Sequence, residues 1–152
     1  MVEQAKALAL KFLSYRPRTV QEVRLFLQKK KFNQNVIEEV IKYLQEISYL
    51  DDMQFCELWI RNRLLLKPMG RKRLYDELIN KGVDPSIVEQ VLEEKIPAEM
   101  DLFLARELVY KKIVKATENG WPIEEKKLKN FLYRRGFNYY TIEKVIKEIF
   151  SD

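Results

Sequence analysis

The chain contains no histidine and only one cysteine, Cys56, among its 152 residues. Without an imidazole there is no Ser–His or Cys–His nucleophile, no histidine general base and few of the usual zinc ligand sets. A lone cysteine forms no internal disulfide. It lies between Phe55 and Leu58 in an apolar run, which reads as a small buried thiol rather than a nucleophile. Glycine (4) and proline (5) are scarce, as in a helical chain with short connections, and neither a Walker-type phosphate loop nor a Rossmann fingerprint is present. No stretch approaches the roughly 20 apolar residues that span a bilayer. Glu3, Lys6 and Lys11 interrupt the N-terminal segment, which lacks the apolar centre of a signal peptide. The expectation is a soluble cytoplasmic protein without membrane contact, without cofactor or metal, and with no catalytic residue to assign.

What the chain does have is a pattern written three times. Leu27, Phe32, Ile37, Val40 and Ile41 are followed at the same spacing by Leu78, Val83, Val88, Val91 and Leu92, then by Leu132, Phe137, Ile142, Val145 and Ile146. Val23, Leu74 and Leu128 stand four residues ahead of each string. Copies of this length are stacked supersecondary units, which build a long gripping surface more readily than a deep pocket. Each is too small to be secure alone, so the copies should share core across their junctions. The divisions read as 1–52, 53–101 and 102–152, with 9 basic against 7 acidic residues, 8 against 9, and 11 against 7. The net of +5 permits nucleic-acid or acidic-protein contact and also serves solubility.

Each copy reads as three helices, and the predicted fold is all-α. The first helix covers 4–15 and stops before Pro17. Thr19 opens the second with Glu22 as a capping box. Asn33, Asp84 and Asn138 occupy one repeat position and are placed to cap the third helix of each copy, with Pro85 suited to a first turn. Just before them stand Lys31, Gly82 and Gly136, where glycine ends a helix left-handed and Lys31 departs from the pattern. Asp51 and Asp52 read as the start of a helix running to about Lys67-Pro68, and Asp101 as the start of one reaching about Thr117. Asn119-Gly120-Trp121-Pro122 marks a loop before helices near 124–135 and 139–150.

The sharpest local feature is Gly70 followed by Arg71-Lys72-Arg73 at a helix start without a capping side chain. Cations there oppose the helix dipole, and with the free N–H groups they make a candidate seat for a partner's carboxylate or phosphate. The plainer reading points them to water, or pairs Arg73 with Glu77. Arg63 and Lys67 share a helix face next to that turn. Lys29, Lys30 and Lys31, and Arg134 with Arg135, end helices where positive charge suits the dipole. Equivalent positions in a repeat stack share an edge, so these clusters are also candidates for a discontinuous basic rim. The aromatic residues are expected mainly at repeat interfaces, with Tyr139-Tyr140 beside Arg134-Arg135 a candidate for base stacking.

These residues resemble a known family. Tyr49-Leu50-Asp51-Asp52 followed by Phe55 resembles the signature of the RecX family of bacterial recombinase regulators. Lys67, Gly70, Arg73-Leu74, Glu77-Leu78 and Lys81-Gly82-Val83 resemble its second-repeat core, and Phe131-Leu132, Arg134, Arg135-Gly136-Phe137 and Ile142 its third. Ser48 and Lys31 stand where glycine is usual, and Arg71 where proline is common. The resemblance implies three tandem three-helix repeats in an elongated, curved arrangement. It also implies a non-enzymatic regulator of the RecA recombinase, acting on the filament on single-stranded DNA in recombination, DNA repair and the SOS response. Such a protein restrains strand exchange, ATP turnover and repressor cleavage; weak direct DNA contact and a monomeric state are further expectations. The alternative from another class is a direct DNA-binding protein of helix-turn-helix type, against which the −1 net of the middle copy speaks. An enzyme using carboxylates or lysines alone is a third and weaker reading.

Overall fold

A computed structural model describes residues 1–151, and among them nine helices and no strand occur. They are α1 (Val2–Tyr15), α2 (Val20–Lys29), α3 (Gln34–Glu46), α4 (Asp52–Leu66), α5 (Arg71–Asn80), α6 (Pro85–Lys95), α7 (Ala98–Asn119), α8 (Glu125–Arg134) and α9 (Tyr139–Phe150). The chain is therefore all-α, in three successive groups of three helices.

The repeated apolar positions build the interior. Val23, Leu27, Ile37, Val40 and Ile41 pack with Ala5 and Ala9 of α1 in one core cluster. Leu128, Leu132, Phe137, Ile142, Val145 and Ile146 pack with Ala105, Leu108 and Val109 of α7 in another. Leu74, Leu78, Val83, Val88, Val91 and Leu92 are equally buried. Phe32 is the half-buried exception, lying against the first cluster's margin.

The caps follow the side chains. Thr19 Oγ1 accepts from Glu22 N–H while the Glu22 carboxylate accepts from Thr19 N–H, a complete capping box. Asn33 accepts from Val36 N–H, Asp84 from Ser86 N–H and Asn138 from Thr141 N–H, each at 2.8–2.9 Å. Gly136 turns at φ 87 to close α8, and Lys31 makes the equivalent turn at φ 72, as Ser48 does at φ 63. A side chain in that region costs about 1–2 kcal/mol relative to glycine. Helix α7 starts at Ala98, three residues before the expected start at Asp101, because Pro97 holds the extended N-cap conformation.

By packing, the chain forms two compact units. One comprises Met1–Leu58 with Leu78–Val91, the other Trp59–Glu77 with Leu92–Asp152. The middle group of helices is thus divided between them. The first unit holds the junction between the first and second copies, and the second unit holds that between the second and third.

Candidate partner-binding surface

The two junctions use one device. In the first unit, buried Thr19 donates from Oγ1 to Lys81 O at 2.7 Å. In the second, the repeat-equivalent donor is the backbone N–H of Gly70, which reaches Arg135 O at 2.7 Å. A Cβ on Gly70 would collide with Gly136 O, and one on Gly136 would collide with Arg73. The missing side chain at Gly70 is therefore what lets two backbones touch.

A carboxylate from the next copy completes each junction. Asp52 accepts from Val20 N–H at 2.9 Å, and Asp101 accepts from Arg71 N–H at 3.3 Å. The second helix of one copy is thus capped by the first helix of the following copy. Asp51 caps its own helix α4 through Gln54 N–H. The acidic pair read as one helix start is split between two helices. Burial pushes the Asp101 carboxyl up to about 6, against the smaller lowering pull of Arg71 N–H and its guanidinium. Burial also raises Asp52, and it pushes the enclosed Cys56 thiol up to about 12.

The anion that the Gly70–Arg73 turn invites is supplied internally, by Asp101. Arg71 also pairs with Glu93 at 3.1 Å, and Arg73 donates to Arg134 O at 3.0 Å rather than pairing with Glu77. Glu77 instead accepts from Arg63 through both carboxylate oxygens and from Trp59 Nε1, with the Arg63 guanidinium 4.8 Å from the Trp59 ring centre. Arg135 donates to Pro68 O at 2.7 Å, and its desolvation lowers its pKa. Four arginines of the candidate set are thus spent on holding the second unit together.

The exposed candidates are Lys67, Lys72 and Arg134 around that junction, and Lys29, Lys30 and Lys31 in the first unit. Lys72 lies 5.7 Å from the Tyr133 ring centre, and Lys67 follows Leu65 and Leu66, which are 75 % and 85 % exposed. The structure therefore joins the second and third basic clusters at one junction. Of the signature residues, Leu50 and Phe55 are buried, Tyr49 and Asp51 are exposed, and Gly82 is left-handed at φ 90. No group of carboxylates and thiol among the described residues is arranged to hold a metal. No helix among them is long and apolar enough to cross a membrane.

Sequence reasoning missed Asp101 as a tie between copies. The nearest signal was an acidic residue at a similar but unequal distance: the capping carboxylate follows the capped residue by 32 positions at the first junction and 30 at the second.

This is a protein of tandem three-helix repeats joined through helix N-termini, a class defined by architecture alone. The family follows from comparison. Sequence models described as RecX first, second and third three-helix domains match residues 5–44, 51–92 and 99–146. The chain is 33 % identical over 148 residues to a Regulatory protein RecX of Oceanobacillus iheyensis, covering 97 % of this chain and 54 % of that protein. It is 34 % identical over 153 residues to a Regulatory protein RecX of Clostridium acetobutylicum, covering 97 % of this chain and 70 % of that one. The crystal structure of RecX from Lactobacillus salivarius superposes with a TM-score of 0.84 at 25 % identity, over 97 % of this chain and 96 % of that one. The chain belongs to the RecX family. It spans about half the length of the Oceanobacillus relative, and its curated relatives are named as regulatory proteins.

Proposed function

We propose that this protein binds the RecA recombinase filament on single-stranded DNA and limits its growth and activity. The observation carrying this reading is the match of all three RecX domains, in order, across residues 5–146. The exposed surface supports a protein partner. Leu65 and Leu66 stand open beside Lys67, exposed apolar surface with a charged neighbour, which suits a protein interface better than a phosphate-tracking stripe. Of the candidate cations, Lys29, Lys30, Lys31, Lys67, Lys72 and Arg134 are the exposed ones, with room to reach a partner. Arg63, Arg71, Arg73 and Arg135 act by holding the surface in place.

The test is RecA's DNA-stimulated ATPase and strand exchange with stoichiometric protein added. Both are expected to fall; unchanged rates overturn the proposal. Reversing Lys67 and Lys72 together to glutamate should weaken inhibition about tenfold, with helicity by circular dichroism unchanged. Reversing Arg71 or Arg73 would confound the result, because each holds a junction contact.

A further inference from the structure

We propose that the groove between α7 and α8 is a docking site for an acidic peptide segment that inserts one bulky apolar side chain. The inference stands on the groove's own geometry and does not require the peptide to belong to a recombinase.

The groove exists because the third copy departs from the other two. Helix α7 has 22 residues, against 14 in α1 and 15 in α4. It ends at Gly120, left-handed at φ 67, and Trp121 N–H then donates back to Ala116 O at 2.8 Å. This turn folds Trp121-Pro122-Ile123 back beside the end of α7 and opposite α8. The result is a cleft of about 690 Å³, within the range that holds ligand groups. Trp121 is 55 % exposed and Ile123 41 %, adjoining apolar surface of the kind that marks an interaction site when polar residues rim it.

Floor and rim differ in character. Ile113, Trp121, Ile123 and Phe131 supply carbon surface, while Lys112, Lys115, Lys127 and Arg134 stand around it. Glu124 is the one carboxylate in the lining, and Lys127 already holds it at 2.8 Å. Among the described residues, Lys115 and Arg134 make no ion pair. An occupant that satisfies both parts has apolar bulk at its centre and negative charge on its flanks. A nucleic-acid strand satisfies the rim only. It needs open ring faces for successive bases, and of the two rings in the lining only Trp121 offers one: Phe131 is buried and already carries Lys112 at 4.6 Å and Arg135 at 5.1 Å from its ring centre.

The experiment is selection of short random displayed peptides on the immobilised full chain, followed by titration of the enriched peptide into labelled protein. The Trp121 indole resonance reports occupancy. Expected are sequences with Asp or Glu flanking Phe, Leu or Trp, a shift of the Trp121 resonance, and affinity reduced about tenfold or more by Lys115→Glu. Trp121→Ala should reduce it similarly. Both positions are exposed, and unchanged helicity shows that each variant is folded. Enrichment without acidic residues, binding insensitive to both substitutions, or a stronger Trp121 response to oligothymidylate than to the best peptide would overturn the proposal. The recombinase assays above read a different property, so either proposal can fail while the other stands.

Discussion

Lys31 and Ser48 carry side chains at φ 72 and φ 63, where a glycine would sit without strain. Both are exposed, so nothing in their packing repays the conformation. Lys31→Gly or Ser48→Gly should therefore each stabilise the fold by up to about 1 kcal/mol, less the extra entropy glycine gives the unfolded chain. Urea denaturation measures this, and a loss of stability would show that the side chain contributes a contact. Gly136 is the opposite case. Alanine there meets Arg73 and its backbone as well as an unfavourable φ, and Gly136→Ala should cost about 3 kcal/mol. At Asp101 the consequence is a pH dependence. Its folded pKa of about 6 lies above the ordinary aspartate value near ~3.9, so the native state holds the proton more tightly than the unfolded chain. The stability this contributes is fully present below about pH 4 and is lost as pH rises through about 6. Asp101→Asn keeps an acceptor for Arg71 N–H but does not titrate. The stability of the native protein relative to this variant should accordingly fall between about pH 4 and 6 and level off above that range.

At the scale of elements, one contact recurs with its parts exchanged. The start of a second helix is held by a turn and a carboxylate from the next copy, through a hydroxyl at Thr19 and through backbone at Gly70. Thr19 serves two partners at once, capping α2 and bonding Lys81 O. Thr19→Ala removes both and should cost about 2 kcal/mol, while Thr19→Ser retains the hydroxyl and most of the stability. Equal losses in the two variants would locate the effect in the methyl group's packing. The helices and their caps were legible in the sequence because they are local: an Asn three residues before a free N–H, or a Thr with a Glu at N3, needs no tertiary knowledge. The junctions were not, because Asp52 and Asp101 lie 32 and 30 positions from the groups they cap. Gly70 looked like a helix start left open for an outside anion; only the fold shows the anion arriving from Asp101. The basic residues were legible as clusters but not as roles. Arginine's planar fork suits bidentate and backbone contacts within the chain, and here Arg63 and Arg135 became ties, while Lys67 and Lys72 make no ion pair among the described residues and Lys72 only lies over the Tyr133 ring.

For the molecule as a whole, the second copy is shared between two compact units. Its residues contribute to both junctions, Asp52 and Lys81 to the first and Gly70 and Arg71 to the second. A binder built this way gains from several modest contacts made together, each raising the effective concentration of the next. That expectation separates filament binding from binding to a free subunit. The most direct test is fluorescence anisotropy of labelled protein titrated with RecA assembled on single-stranded DNA, with free RecA, and with bare single-stranded DNA. The expected result is markedly tighter binding to the assembled filament than to either component. Equal affinity for bare DNA, with the steep salt dependence of phosphate contacts, would contradict filament recognition and make direct DNA binding the function.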